Sequence, residues 1–240
     1  MEKKLRIAII GYGKMGKEIE RIALERGHEI SCVIEKEEDW NVLCEKSNMA
    51  IEFTEPKAAF GNVLRCFDAK IPVVSGTTGW DGKLDEAKQI CEQKGQTFVY
   101  SPNYSLGVNV FFEINKLLAK LLSPFPEYQP RISETHHTQK LDAPSGTAIA
   151  LAKGIIEKND RFRSWHLKEE TTNNAEISVV AHRIDKVTGT HVVSWQGPND
   201  IIEIQHKAYD RSIFAMGAVV AAEMVLGQKG FFTLKDLLKF

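Results

Sequence analysis

The sequence predicts an α/β fold in two parts, and three observations carry that prediction. An apolar run at the start of the chain breaks at a glycine turn and passes into helical spacing; further apolar runs then alternate with helical segments; and later in the chain strand patterns follow one another, the last two joined by a tight turn. The first two observations describe parallel strands with helices on their faces, and the third describes neighbours that run antiparallel. The expected architecture is a parallel α/β domain with a central α+β domain whose open sheet is mixed.

Residues 5–10 form the first apolar run, which ends at Gly11-Tyr12-Gly13-Lys14-Met15-Gly16; Ile19, Ile22 and Ala23 then recur at helical spacing. In that context the glycines permit a tight turn, let backbone approach a pyrophosphate and let helix pack close to strand, while the helix N-terminus faces the phosphates. A second strand over residues 30–34 ends in Glu35, 19 residues beyond Gly16, where an acid that binds ribose hydroxyls belongs. Lys36 beside it offers a cation to the 2′-phosphate of NADPH, so both NADH and NADPH are expected as cofactors. This part is a Rossmann-type dinucleotide-binding domain.

Residues 49–54 and 71–75 are the next strands, with Pro56 placed to begin the helix between them. Gly76-Thr77-Thr78-Gly79 follows, and its small residues let backbone and hydroxyls approach a flat ligand. Because ligands sit beyond the carboxyl ends of parallel strands, Phe53, Thr54, Gly76, Thr77 and Thr78 are expected at the cofactor cleft, although a core position would suit Phe53 equally. A helix over about residues 82–94 leads to a strand at 97–100 and to residues 101–109, a loop expected to be the domain hinge. The apolar stretch 110–122 then opens the second domain, which divides the chain into 1–108 with 214–240, and 109–213.

The densest chemistry lies in residues 134–148, Glu-Thr-His-His-Thr-Gln-Lys-Leu-Asp-Ala-Pro-Ser-Gly-Thr-Ala, reached through a strand at 131–135. His136 and His137 exchange protons near neutrality, since an ordinary imidazole titrates at about 6.5. Lys140 adds positive charge, Asp142 and Pro144 give turn chemistry, and Ser145-Gly146-Thr147 opens an Ala- and Ile-rich helix whose first N–H groups attract carboxylate or phosphate. Proton donor, cation and anion cradle together make this the candidate active site; two solvated loop histidines are the plainer alternative. A metal is not expected, because adjacent histidines lack the i, i+4 spacing of a two-histidine zinc motif and no cysteine lies near.

Residues 159–174 read as irregular, and strands are expected at 177–183, 190–196 and 201–207, with Gly197-Pro198-Asn199-Asp200 as the last turn. Val192, Trp195 and Ile202 offer apolar surface suited to a subunit interface. His206 and Arg211 are expected as structural salt-bridge partners. A helix over 212–226, rich in small residues, is expected to return to the first domain, and Thr233 to cap a short closing helix.

Composition narrows the partners. With 31 basic and 32 acidic residues the chain has no basic field for nucleic acid or anionic membrane, so a small molecule is expected. No apolar run approaches ~18 residues, and the first strand starts too early for a signal peptide, so a cytoplasmic protein is expected. Cys32, Cys44, Cys66 and Cys91 contain no CxxC pair and read as reduced and buried.

With these motifs in hand, the chain resembles the dihydrodipicolinate reductase family over nearly its whole length. The resemblance rests on Gly11 to Gly16, Glu52-Phe53-Thr54-Glu55-Pro56, Gly76-Thr77-Thr78-Gly79, residues 101–109, residues 134–148 and residues 206–218. It implies a nucleotide domain completed by the C-terminal helices, a substrate domain that builds a homotetramer, and hinge closure over both ligands. Its cofactor-binding set takes in Lys14, Met15, Ser101, Asn103 and Tyr104 beside the residues above. It implies that His136 is the general acid for a cyclic dicarboxylate imine, that Lys140 assists, and that His137, Ser145, Gly146 and Thr147 bind the substrate carboxylates. Thr138-Gln139 replaces a basic pair usual in the family, Glu52 a common Asp and Phe231 a frequent Tyr, Arg183-Ile184-Asp185 lacks a glycine often found there, and the chain is short after Glu35.

Two rival functions differ from this one: a related nicotinamide enzyme for another imine or an aldehyde, and a nucleotide sensor without chemistry. With all four cysteines at or before position 91, a thioester route for an aldehyde lacks its nucleophile. A sensor would need neither His136 nor Lys140.

Overall fold

The computed structural model describes residues 4–36, 40, 47–168 and 173–239. Cys44 lies outside them. The chain divides into two compact units, Met1–Leu106 with Ser212–Phe240, and Gly107–Arg211.

In the first unit β1 (Arg6–Ile10), α1 (Lys14–Glu25), β2 (Glu29–Ile34), β3 (Met49–Glu52), α2 (Pro56–Asp68), β4 (Val73–Ser75), α3 (Leu84–Gln93) and β5 (Thr97–Tyr100) follow in the expected alternation. A 3-10 turn at Asp81–Lys83 leads into α3, and Pro56 occupies the first turn of α2, where its missing N–H costs nothing. The strands pair in parallel in the order β11-β5-β4-β3-β1-β2, where β11 is Gly230–Phe232. That edge strand was not foreseen: three residues that begin with a positive-φ glycine carry too little pattern, and parallel pairing with β5 makes them a strand.

The chain returns to this unit as expected. α6 (Ser212–Val225) buries Ala215, Ala218, Val219, Ala221 and Ala222 in the same core as Ile7, Ile9, Ile19 and Ile51. Gly217 shows why its residues are small, since a Cβ there would lie 1.6 Å from the Tyr104 carbonyl oxygen. Thr233 caps α7 (Leu234–Leu238) in a reciprocal box with Asp236.

The second unit contains α4 (Leu106–Leu121), β6 (Gln129–His136), α5 (Gly146–Lys158), β7 (Ser164–Leu167), β8 (Glu176–Arg183), β9 (Gly189–Gln196) and β10 (Ile201–Ala208). The sheet order is β10-β9-β6-β8-β7, with β6–β8 and β7–β8 parallel and the other pairs antiparallel. The mixed sheet is thus as expected. Three details differ: residues 106–109 are helical, residues 164–167 form an edge strand within the stretch read as irregular, and Cys32 is half-buried while Cys66 and Cys91 are buried.

Period-2 alternation sorts the strand side chains. On β6 Pro130, Ile132, Glu134 and His136 are buried in turn, and on β9 His191, Val193 and Trp195. Trp195 therefore packs on Phe162 in the unit's own core, 5.9 Å between ring centres, and not on a surface awaiting a partner. His206 likewise lies against Phe111 at 6.1 Å, and among the described residues neither it nor Arg211 pairs with a carboxylate as expected.

Candidate active site

The inward alternation of β6 and β9 puts three polar residues, Glu134, His136 and His191, at one end of an otherwise apolar face. Glu134 is completely buried, and both of its carboxylate oxygens accept from the Ser145 N–H, at 3.0 and 3.2 Å. Around it stand His191 Nε2 at 3.5 Å, His136 Nδ1 at 3.6 Å and the Arg183 guanidinium at 3.5 Å. Burial alone would push the Glu134 carboxyl up, but hydrogen bonds from His191 and Ser145 and the charge of His136 outweigh it and hold the group at about 2.

His136 moves the other way. Burial, then the neighbouring His191, lower its imidazole to about 4 against the pull of Glu134, with Lys140 and Arg183 adding to the drop. The ring lies edge-on to His191 with centres 5.0 Å apart, and its buried Nδ1 has no hydrogen-bond partner among the described residues. Its Nε2 sits over Gly189, where an added Cβ would come within 3.2 Å.

Arg183 straps the loop between β6 and α5: Nε donates to the Lys140 carbonyl at 3.3 Å and Nη2 to the Asp142 carbonyl at 2.6 Å. Lys140 Nζ pairs with Asp142 at 2.8 and 2.9 Å. His137 is half-buried on the same loop.

The Ser145 hydroxyl departs from the expected role. It is buried, accepts from the Ala148 N–H as the cap of α5 and lies 3.1 Å from His191 Nε2, so it faces inward. The Ile149 N–H is taken by the Ser145 carbonyl, which leaves Gly146 and Thr147 as the open N–H pair at the helix start. Among the described residues nothing lies within 4 Å of a Cβ built on Gly146, so the first residue of α5 is uncrowded.

Glu134, Arg183 and His191 are the residues that sequence reasoning left without a role. The available signal was alternation, a polar residue at each inward step of an apolar strand. Glu134, His136 and His191 also present ligand atoms all within 4.8 Å of one another, a trio that residue spacing did not anticipate. The Ser145 N–H on both carboxylate oxygens and the Arg183 cation beside them mark it as a hydrogen-bonded charge network.

In the first unit the glycine turn fits a pyrophosphate. Gly11 has φ +89°, a Cβ there would lie 2.3 Å from the Phe53 carbonyl oxygen, and one on Gly16 would lie 2.2 Å from the Gly11 carbonyl oxygen. Gly13 faces open space at the start of α1, with Lys14 and Met15 next to it. Glu35 and Lys36 are exposed and line a cavity of about 500 Å³ together with Gly11, Tyr12, Thr54, Trp40 and one face of α2.

Beyond β3 and β4, Glu52 is completely buried and accepts from the hydroxyls of Thr54, Ser75 (2.6 Å) and Thr77 (2.9 Å). Thr77 in turn accepts from the Thr54 N–H at 2.8 Å, so it is a buried brace, whereas Thr78 is exposed. The Phe53 ring covers Gly76, where a Cβ would meet it at 2.1 Å. Tyr104 is buried, with its hydroxyl donating to the Ser75 carbonyl at 2.9 Å, and Ser101 donates to the Asn103 carbonyl at 2.8 Å. Tyr104 and Ser101 therefore shape the loop from inside, and Asn103 is half-buried on it.

Comparison with known proteins matches both units. Residues 5–104 fit the model of the dihydrodipicolinate reductase N-terminus, and residues 107–238 that of its C-terminus. The chain belongs to the dihydrodipicolinate reductase family. It is 46% identical over 235 residues to the 4-hydroxy-tetrahydrodipicolinate reductase of Christiangramia forsetii, covering 98% of each chain. The protein of that name from Staphylococcus carnosus is 33% identical, over 97% of this chain and 99% of that one. The dipicolinate-bound dihydrodipicolinate reductase of Paenisporosarcina sp. TG-14 shares the fold, with TM-score 0.77 at 23% identity, over 96% of this chain and 98% of that one.

Proposed function

We propose that the chain is an NAD(P)H-dependent reductase that converts 4-hydroxy-tetrahydrodipicolinate, through dihydrodipicolinate, to 2,3,4,5-tetrahydrodipicolinate on the route to diaminopimelate and lysine. The observation that supports it best is that the helix start with the Gly146–Thr147 N–H pair is tied, through the Ser145 N–H on Glu134, to the carboxylate that lies 3.6 Å from His136 Nδ1, so an anion cradle and a proton carrier share one network. A bound dihydronicotinamide supplies the hydride. The substrate carbon that takes the hydride leaves its neighbour in need of a proton, and His136 is the group that delivers it.

Burial keeps His136 neutral in the free protein, since its imidazole titrates near 4. Two substrate carboxylates change that balance, because negative charge a few ångströms away favours the imidazolium. Substrate binding and loading of the acid are thereby coupled. Lys140 and His137 add charge and hydrogen bonds around the ring, Gly146 and Thr147 N–H groups take a carboxylate, and Ser145 holds the helix start in place. Glu134 steadies the imidazolium through its charge, and Arg183 keeps the loop closed on the site.

The nucleotide belongs to the first unit, with Gly11, Gly13, Lys14, Met15 and Gly16 on the pyrophosphate, Glu35 and Lys36 on the adenosine ribose, and Phe53, Thr54, Gly76 and Thr78 near the nicotinamide end. Thr77, Ser101, Asn103 and Tyr104 hold that edge from behind. We further assign a homotetramer in the cytoplasm. It is supported by an exposed apolar stripe on α4, Val110, Ile114, Leu117 and Leu121, whose spacing follows one helix side; light scattering that returns a monomer would refute the assembly.

Oxidation of NADH and NADPH followed at 340 nm, with substrate generated in place from pyruvate and aspartate semialdehyde by the preceding synthase, tests the reaction. His136→Ala should lower kcat by on the order of 10²–10⁴ and leave nucleotide affinity near wild type. Nucleotide binding without substrate-dependent oxidation in the wild-type protein would refute the activity.

A further inference from the structure

The two carboxylate oxygens of Glu134 face different groups. Oε1 accepts from the Ser145 N–H at 3.0 Å and lies 3.5 Å from the Arg183 guanidinium. Oε2 shares the Ser145 N–H at 3.2 Å and faces two imidazole nitrogens, His191 Nε2 at 3.5 Å and His136 Nδ1 at 3.6 Å. All three residues are buried, and one donor atom of each lies within 4.8 Å of the other two. His136 Nδ1 is enclosed and has no hydrogen-bond partner among the described residues, so a nitrogen points into this gap with nothing to meet. A zinc ion bound at about 2.0–2.1 Å by imidazole nitrogen and carboxylate oxygen sets the ligand atoms of a tetrahedron about 3.4 Å apart. The two separations measured from Oε2 are close to that spacing.

We propose that Glu134 Oε2, His136 Nδ1 and His191 Nε2 form a binding site for Zn²⁺, with water in the fourth position, and that the ion inhibits the protein by holding the His136 imidazole. Two histidines and a carboxylate are a known zinc donor set, whereas magnesium and calcium prefer oxygen alone. Local spacing hides the trio, because His191 comes from β9 and the other two from β6. The nearby cations do not fill the gap. Arg183 lies on Oε1 and donates to the Lys140 and Asp142 carbonyls, and Lys140 is paired with Asp142. The Ser145 N–H and Arg183 instead orient the carboxylate from outside, as partners behind a metal ligand do. The Ser145 hydroxyl, 3.1 Å from His191 Nε2, gives way to the ion, and His191 then keeps its proton on Nδ1. His136 retains 8% exposure, which is the way in. Inhibition rests on the nicotinamide-reductase reading above; metal binding does not.

The test is calorimetric titration of the chelator-treated full-length protein with zinc chloride, without nucleotide or substrate. Wild type should bind one ion at micromolar concentration or below. His136→Gln and His191→Gln should each weaken binding at least about a hundredfold, the upper end of what loss of an outer partner costs, while His182→Gln, an exposed histidine on β8, should leave it unchanged. Co²⁺ as a second probe reads the geometry on the wild-type protein alone: it should give the intense visible absorption of a tetrahedral site, and zinc should bleach it. Preloaded zinc should also stop dinucleotide oxidation, and a chelator should restore it. Wild-type zinc affinity in both His136→Gln and His191→Gln, a pale octahedral cobalt spectrum, or no zinc bound in the micromolar range would overturn the site. Full dinucleotide oxidation by the zinc-loaded protein would overturn the inhibition. A protein that binds zinc as expected but oxidises no dinucleotide in the metal-free state would support the site and overturn the reductase reading instead.

Discussion

Among the described residues, each unit contains one completely buried carboxylate at or near the end of a strand, and the two are surrounded differently. Glu52, in the first unit, accepts from three hydroxyls; Glu134, in the second, faces two imidazoles, a guanidinium and a backbone N–H. Hydroxyl donors keep the same charge across the physiological range, whereas imidazoles do not. The first arrangement is therefore a fixed brace at the carboxyl ends of β3 and β4, and the second is a cluster whose charge follows pH. Chemistry that moves a proton needs the second kind.

The contrast can be broken by experiment. Glu134→Gln should have the largest effect, because it removes the buried charge on which the Ser145 N–H, the Arg183 guanidinium and two imidazoles converge: stability falls by about 3 kcal/mol, and kcat by on the order of a hundredfold. Urea unfolding and steady-state kinetics would show it. Equal or greater damage from Glu52→Gln would end the distinction between the two sites.

Acidification should come next. His136 titrates near 4 in the fold against 6.5 for the free side chain, so from pH 6.5 down to about 4 the unfolded chain takes up a proton that the folded chain refuses. Stability therefore declines as pH falls through that window, by up to roughly 3 kcal/mol. Glu134, at about 2 against 4.5, extends the decline from pH 4.5 toward 2. A thermal midpoint that stays level between pH 6.5 and 5, or one that slopes equally in His136→Gln, would contradict this account.

Glu52→Gln should cost about 1–2 kcal/mol through misdirected hydroxyl donors and raise the KM for the dinucleotide with kcat nearly unchanged. A selective fall in kcat would instead place Glu52 in the chemistry. The smallest effect on stability is expected from Gly189→Ala, whose Cβ would press on His136 Nε2 from 3.2 Å. Unfolding should shift by about 1 kcal/mol or less, yet kcat should drop roughly tenfold with nucleotide affinity intact. Wild-type kcat in that variant would show that ring placement is not critical.

Much of the molecule was legible as local pattern. The strand, glycine turn and helix at residues 5–25, the Pro56 helix start, the helix start at residues 145–147 and the Thr233 cap each depend on neighbours in sequence, so their residue types announce them. The segment that contains His136, Lys140 and the α5 N-terminus was legible for the same reason. Tertiary structure decided what those residues face. Ser145 was expected to meet substrate and turns inward, because Glu134 and His191 arrive from two strands to engage it. Trp195 was expected at a surface and is core, because register, and not composition, sets which face of β9 is covered. The same holds for Gly61 and Arg65: helical spacing puts them on one side of α2, but only the packing of α2 against β3 and β4 gives that side a cavity to line. Sequence by itself determined the elements with a local pattern and the reactive stretch; long-range pairing, which no local window contains, determined the edge strands at 164–167 and 230–232 and the partners that set the charge of that stretch.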